Sequence, residues 1–226
     1  MVSLNVHGRP RVVLFTPNPD DHNGAVKGFK DIFLTNLNKD ILVEYVEARS
    51  VDESFKELTR ISSLSYNHIL ILSHGTSNHK LVIQDDATPE TDNLRDQFYD
   101  MLGDIHRWAD WFRNTFDDKV VMLAACDSGT EMNTDPLLHL GLALHVIAPH
   151  PINPKIDSQD GAKAMSSFLN ELDQMHLQSY EREHYESAER TIAQYYPNTI
   201  KLWPYEAKMD FVNEILKALK TQKTLL

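Results

Sequence analysis

Cysteine and long apolar stretches are nearly absent from this sequence of 226 residues. It contains one cysteine, Cys126, which cannot form a disulfide within the chain, and we therefore expect a cytoplasmic protein. No run approaches the roughly 18 apolar residues that a membrane-spanning helix requires, so we expect no membrane partner. The first residues, MVSLNVHGRPRVVLF, lack a basic segment followed by a long apolar stretch, which argues against a secretory signal peptide.

Basic residues are in the minority, with 22 Lys and Arg against 33 Asp and Glu and a formal net charge of -11. A nucleic-acid-binding surface needs a basic stripe, so this composition argues against nucleic acid as a partner. The 11 histidines are not organised by a C-x-x-C or H-E-x-x-H motif, and we expect no metal. No glycine-rich nucleotide-binding loop follows any predicted strand, so we expect no other cofactor. For the same reason, a flavodoxin-like protein that binds a small ligand or a nucleotide is the weakest alternative function.

What the sequence does contain is a regular alternation of buried strands and helices. Apolar runs predict six strands, at 11–17, 41–48, 68–75, 119–126, 143–150 and 199–204. Helical periodicity predicts helices at 26–37, 50–64, 93–116, 137–142, 164–175, 176–196 and 211–219, and a small hairpin arm is predicted at 80–85. Ser50 and Glu53 form a capping box at the start of the second helix.

This alternation predicts an α/β fold with a six-stranded, mainly parallel sheet and helices on both faces. The first strand is predicted to be central in the sheet, because the helices of the crossover connections are expected on either side of it. No repeat, low-complexity tract or linker divides the chain, so we expect one domain spanning residues 1–226.

Two potentially reactive side chains, His74 and Cys126, stand at the carboxyl ends of consecutive predicted strands. Ligands bind beyond the carboxyl ends of strands in open parallel sheets, and consecutive strands are often neighbours. We therefore expect the two residues to share one rim. A thiolate is a strong nucleophile, and a nearby histidine can take its proton or protonate a leaving amine. The amides of Gly75 and Cys126 can together stabilise an oxyanion.

These residues resemble the caspase-like clan of cysteine peptidases, which includes caspases, legumains and CHAT-domain proteases. The resemblance lies in an apolar strand ending in His-Gly, ILILSHG, and a second ending in Ala-Cys and a small polar turn, VMLAACDSG. Their spacing is close to the interval of about 50 residues between the caspase histidine and cysteine. The resemblance implies a caspase-like three-layer sandwich and an endopeptidase that cleaves protein or peptide substrates through a Cys-His dyad. It also implies Cys126 as nucleophile, His74 as catalytic base or acid, and an oxyanion hole at Gly75 and Cys126.

Four further residues are candidates for substrate binding. Asp20 and Asp21 follow the first strand on the same rim and can form an acidic pocket for Lys or Arg substrates, with a solvated loop as the alternative. Asp127 is open to the same two interpretations. His150 follows the fifth strand, where it can line the cleft or be an ordinary loop residue.

The function remains open between two classes at this point. One is a cysteine endopeptidase, and the other is a catalytically silent caspase-like module that acts as a binding or sensor protein. Polar segments at 76–92 and 127–136 follow the two strands that carry His74 and Cys126. Because such loops often order only on binding, we expect control by a separate regulatory protein.

Overall fold

A computed structural model describes residues 6–17, 24–75, 115–140, 142–155 and 158–204 of the chain. The strands are β1 (Val6–His7), β2 (Arg11–Thr16), β3 (Leu42–Glu47), β4 (His68–Leu72), β5 (Val120–Ala124), β6 (His145–Pro149), β7 (Ser179–Tyr180) and β8 (Ile200–Pro204). The helices are α1 (Ala25–Asn36), α2 (Val51–Ser62), α3 (Glu131–Asp135), which continues as a π-helical turn over Pro136–Leu140, α4 (Ser158–Gln174) and α5 (Arg182–Tyr195).

Six of the described strands form one sheet in the order β3-β2-β4-β5-β6-β8. All neighbours are parallel except β6 and β8, which are antiparallel. The α/β class and the six-stranded, mostly parallel sheet are therefore confirmed. Strand β2 is an interior strand flanked by β3 and β4, although the middle of the sheet falls between β4 and β5.

The three strands β4, β5 and β6 are buried along their whole length, because helices cover both faces of the sheet. Residues such as Leu70 and Met122 join one apolar cluster with α1, α4 and α5. Their neighbours Ile71 and Leu123 join a second cluster with α2 and the π-helical turn. Each fully buried aliphatic side chain contributes about 1.5–3 kcal/mol relative to an exposed one, so these strands form a rigid platform for the residues that follow them.

The ends of the elements differ from the predictions in ways that have local causes. The predicted helix at 176–196 begins only at Arg182, because residues 179–180 instead pair with β1 as a two-stranded antiparallel sheet. The predicted helix at 137–142 begins earlier, at Glu131, and widens to a π-helix at Pro136, which has no backbone N–H to donate.

The capping box at α2 is present in altered form, and three predicted elements fall wholly or mostly outside the described residues. The Ser50 hydroxyl accepts a hydrogen bond from the Glu53 amide, while the Glu53 carboxylate accepts from the amide of Arg49 rather than of Ser50. The predicted elements at 80–85 and 211–219, and the predicted helix at 93–116 apart from its last two residues, lie outside the described residues.

A cluster of buried polar rings lies at the amino-terminal end of the sheet, opposite the end that carries His74 and Cys126. His68 and His145 begin β4 and β6, on either side of the first residue of β5. The His68 ring contacts Asn67 Oδ1 at 2.7 Å and the Tyr185 hydroxyl at 3.2 Å, and the His145 ring packs on the Tyr185 ring with 4.7 Å between centroids. Within the described part of the chain, neither nitrogen of His145 has a hydrogen-bond partner.

Burial shifts the acid–base behaviour of this cluster. It lowers the pKa of His68 to about 3, with repulsion from His145 as a smaller cause. It also lowers the pKa of His145 to about 4, where the nearby Arg182 adds to the effect and Glu186 opposes it. The pKa of Tyr185 is raised well above its ordinary value by burial. Both imidazoles are therefore neutral in the folded protein at pH 7.

Candidate active site

The parallel pairing of β4 and β5 brings the His74 and Cys126 segments to the same rim of the sheet. Leu72 and Ala124 are register partners at the last position of the two strands. One residue further on, the Ser73 amide donates a hydrogen bond to the Ala124 carbonyl at 3.2 Å. The chain then leaves both strands at the same level, and His74 and Cys126 follow directly.

His74 and Cys126 line one small cleft, with a volume of about 50 Å³. The strand ends contribute the residues just before them, and the first two turns of α1 contribute the opposite wall. Cys126 is half-buried rather than packed inside the sheet. Both residues therefore line one space that a molecule can enter, which is a condition for nucleophilic catalysis by a Cys-His pair.

The segments that carry the two residues touch through their backbones at Gly75. A Cβ atom placed on Gly75 would lie 1.6 Å from the carbonyl oxygen of Cys126 and 2.6 Å from its carbonyl carbon. These are backbone atoms that no side-chain rotation can remove. Glycine is therefore required at position 75 for the His74 and Cys126 segments to approach this closely.

The turn that follows Cys126 is held by a set of short hydrogen bonds. Asp127 has a positive φ of 57°, and its amide donates to the Pro154 carbonyl at 2.7 Å. The hydroxyl of Ser128 donates to the Ala125 carbonyl at 2.7 Å. The Ser128 carbonyl in turn accepts from the side-chain amide of Asn133, at the start of the following helix. These contacts fix the direction in which the chain leaves the nucleophile.

A second close contact joins this turn to the neighbouring strand β6. A Cβ atom on Gly129 would lie 1.7 Å from the carbonyl oxygen of Pro149, the last residue of β6. Gly129, like Gly75, occupies a place where the backbone of an adjacent segment excludes any side chain. The Cys126 turn is thus bounded by backbone on two sides.

The four candidate substrate-binding residues have different outcomes. Asp127 adjoins the thiol, with its amide committed to Pro154. His150 is not among the described residues that line the cleft. Its backbone amide donates a hydrogen bond to the Thr199 carbonyl at 3.1 Å, and its Nδ1 atom accepts one from the Ile152 amide at 3.2 Å. Asp20 and Asp21 lie outside the described residues, so the acidic pocket remains a prediction.

Reasoning from sequence missed the contribution of α1 to the cleft. Ala25, Val26 and Phe29 line it together with His74 and Cys126, yet the periodicity of this helix assigned Val26 and Phe29 only to the core. One signal was available: the helix follows the first strand, so its amino-terminal end must lie at the rim where that strand ends.

A larger cleft of about 430 Å³ lies at the outer edge of β8, between α3 and α5. Its walls carry many charged side chains that already interact, as in the 2.7 Å ion pair of Arg182 with Glu186. The Glu189 carboxylate accepts from the Leu202 amide at the open edge of the sheet. No cysteine is among its described lining residues, so the smaller cleft is the better candidate for nucleophilic chemistry despite its size.

Comparison with known proteins does not assign the chain to a family: no protein-family model matches it, and no curated protein gives a significant match. In the part of the chain that the structure describes, no group of three or more His, Cys, Asp and Glu side chains is arranged to hold a metal ion. None of the described helices combines the length and apolar character needed to cross a lipid bilayer.

Proposed function

We propose that this chain is a cysteine endopeptidase of the caspase-like type, which cleaves protein or peptide substrates through Cys126 and His74. The observation that carries the proposal is that the two residues line one cleft at the carboxyl ends of adjacent parallel strands. The backbone contact between Gly75 and Cys126 supports it further, because it ties the two segments into one unit. The mostly parallel sheet with helices on both faces is compatible with the three-layer sandwich that the sequence resemblance implies.

The proposed reaction begins with transfer of the Cys126 proton to the His74 imidazole. The thiolate attacks the scissile carbonyl carbon, and the amides of Gly75 and Cys126 are the proposed donors to the resulting oxyanion. The C–N bond then breaks, His74 gives its proton to the departing amine, and an acyl thioester remains on Cys126. Water, deprotonated by His74, attacks the thioester carbon, which releases the carboxylic acid product and restores the thiol.

Labelling by a peptide electrophile tests this assignment directly. The full chain is incubated with peptidyl acyloxymethyl ketones, and adduct formation at Cys126 is followed by intact and peptide mass spectrometry. We expect labelling in the wild type, none in C126A, and a loss of at least about 100-fold in rate in H74A, since general-base assistance is typically worth this much. Equal labelling of H74A and wild type would contradict the dyad.

The proposal includes a cytoplasmic location and control by a separate regulatory protein. Partners recovered by pull-down are added back to the pure chain, and peptide turnover is compared with and without them. We expect an increase in turnover that C126A does not share. If Cys126 never labels and no partner elicits turnover, the silent binding or sensor module replaces the peptidase as the better description.

A further inference from the structure

The cleft that holds His74 and Cys126 is small and has an apolar floor. Four of its residues are apolar side chains that also belong to the core, and each is at most 3 % exposed. They are Val26, Phe29, Leu72 and Ala124. Among the described residues that line the cleft, His74 and Cys126 are the only two with titratable side chains. The described lining of the cleft is therefore mainly hydrocarbon.

We propose that this cleft is the subsite for the side chain of the residue whose carbonyl is attacked, and that it selects small apolar side chains. The inference rests on the proposed peptidase function and specifies its substrate class. Val26 and Phe29 at the start of α1 would be its specificity-determining residues.

The position of the cleft follows from the covalent geometry of a peptide. In a substrate, the side chain in question is attached to the carbon atom next to the attacked carbonyl. A carbonyl placed for attack by Cys126 therefore has this side chain only a few bonds from the sulfur. Because Cys126 itself lines the cleft, the space between α1 and the ends of β4 and β5 is an enclosed space, among the described residues, that this side chain can reach.

The size of the cleft limits what can enter it. A water-sized group needs about 10–15 Å³ of such volume, so 50 Å³ accommodates roughly three to five non-hydrogen atoms. Alanine, valine and leucine side chains fall within this limit. Phenylalanine, tryptophan and arginine side chains exceed it.

The chemistry of the described lining disfavours charged side chains independently of size. A carboxylate or ammonium group that loses its hydration must be paired, because an unpaired buried charge is strongly unfavourable. The described walls of the cleft offer hydrocarbon from Val26, Phe29 and Leu72 in place of a partner. This prediction differs from the acidic pocket at Asp20 and Asp21, which would favour Lys or Arg at the same substrate position.

A series of peptidyl acyloxymethyl ketones that differ only in this side chain tests the inference. The full chain is titrated with the Ala, Val, Leu, Phe, Asp and Lys probes, and the second-order rate constant of Cys126 labelling is measured for each by intact mass. We expect the Ala or Val probe to react at least about tenfold faster than the Phe, Asp and Lys probes, the smallest discrimination expected for a fitted apolar pocket. C126A identifies labelling at other sites.

Two substitutions in α1 connect the selectivity to the cleft. F29L removes ring atoms from its wall, and we expect the ratio of the Phe-probe to the Ala-probe rate constant to rise by about tenfold. F33L is the matched control, because Phe33 is buried one turn further along α1, stacks on Phe29 with 6.3 Å between centroids, and does not line the cleft. It should leave this ratio unchanged. V26A provides a second enlargement of the cleft should F29L fold poorly.

The possible outcomes distinguish this inference from the proposed function. Fastest labelling by the Lys, Asp or Phe probe would overturn the apolar subsite while leaving the peptidase assignment in place. An equal change in selectivity in F29L and F33L would overturn the role of the α1 wall. Failure of every probe to label Cys126 would overturn the peptidase assignment and the subsite with it.

Discussion

Lowering the pH from 7.5 to 5.0 should destabilise this protein substantially, because two imidazoles are buried at the amino-terminal end of the sheet. His68 and His145 have pKa values of about 3 and about 4 in the folded state, below the ordinary value of 6.5 that applies once the chain unfolds. Above pH 6.5 both rings are neutral in both states. Below it the unfolded chain binds two protons that the folded chain excludes, so stability falls as the pH falls.

The magnitude follows from the distance between the assay pH and the unfolded pKa. Each unit is worth 1.36 kcal/mol per histidine, and pH 5.0 lies about 1.5 units below 6.5 while remaining above both folded values. The expected loss is therefore about 2 kcal/mol per ring and about 4 kcal/mol for the pair. Burial raises the pKa of Asp173, but its hydrogen bonds with Arg9 and Asn38 outweigh this effect and lower the pKa below its ordinary value. The stability that Asp173 contributes is therefore lost only below about pH 4, outside this window.

Urea unfolding followed by tryptophan fluorescence at the two pH values measures this loss. H145F keeps an aromatic ring against Tyr185 and removes one titrating group, so its loss between pH 7.5 and 5.0 should be about half that of the wild type. F168L, which alters another ring beside Tyr185, should lower stability by about 1–2 kcal/mol at both pH values without changing their difference. A wild-type loss below 1 kcal/mol, or an equal loss in H145F, would refute the reasoning.

Three further predictions concern the site and its supports. G75A should slow labelling of Cys126 by at least about tenfold and lower the melting temperature, since the added methyl group meets a carbonyl oxygen at 1.6 Å. G28A, where a Cβ meets nothing within 4 Å, should instead stabilise α1 by about 0.5–1 kcal/mol. Thermal unfolding of both variants checks the two effects on stability. C126A and H74A should each abolish peptide turnover with nearly unchanged melting temperatures, and the double variant should show no additional loss, because the two residues act as a unit; additive losses would contradict this. S50A should cost about 1 kcal/mol in urea unfolding by removing the side-chain acceptor at the start of α2.

The order of strands and helices could be predicted because strands buried on both faces consist of continuous apolar residues. The run HILIL and the run VVMLA each coincide with an observed strand, although both strands end before the predicted ends at residues 75 and 126. Placement of His74 and Cys126 at one rim followed from this pattern and from the tendency of consecutive strands to be neighbours.

Other features could not be predicted because the residues involved carry no distinctive pattern. Strands β1 and β7 have two residues each, too few for any periodicity to be recognised. The antiparallel direction of β8 is not encoded in its apolar residues, since an apolar run is the same in either direction. The role of Val26 and Phe29 as cleft walls was hidden because a side chain that lines a cleft and one that fills a core have the same apolar character.

The two close backbone contacts around Cys126 have a consequence for how far this sequence can diverge. At positions 75 and 129 any side chain would overlap a carbonyl oxygen of an adjacent segment, so replacement there requires two segments of the molecule to move at once. Elsewhere, as at Gly28, the surrounding space is open. Sequences that descend from a common ancestor with this chain should therefore retain glycine at these two positions even where the thiol has been replaced. A search for distant relatives would gain sensitivity by giving these two glycines more weight than overall identity.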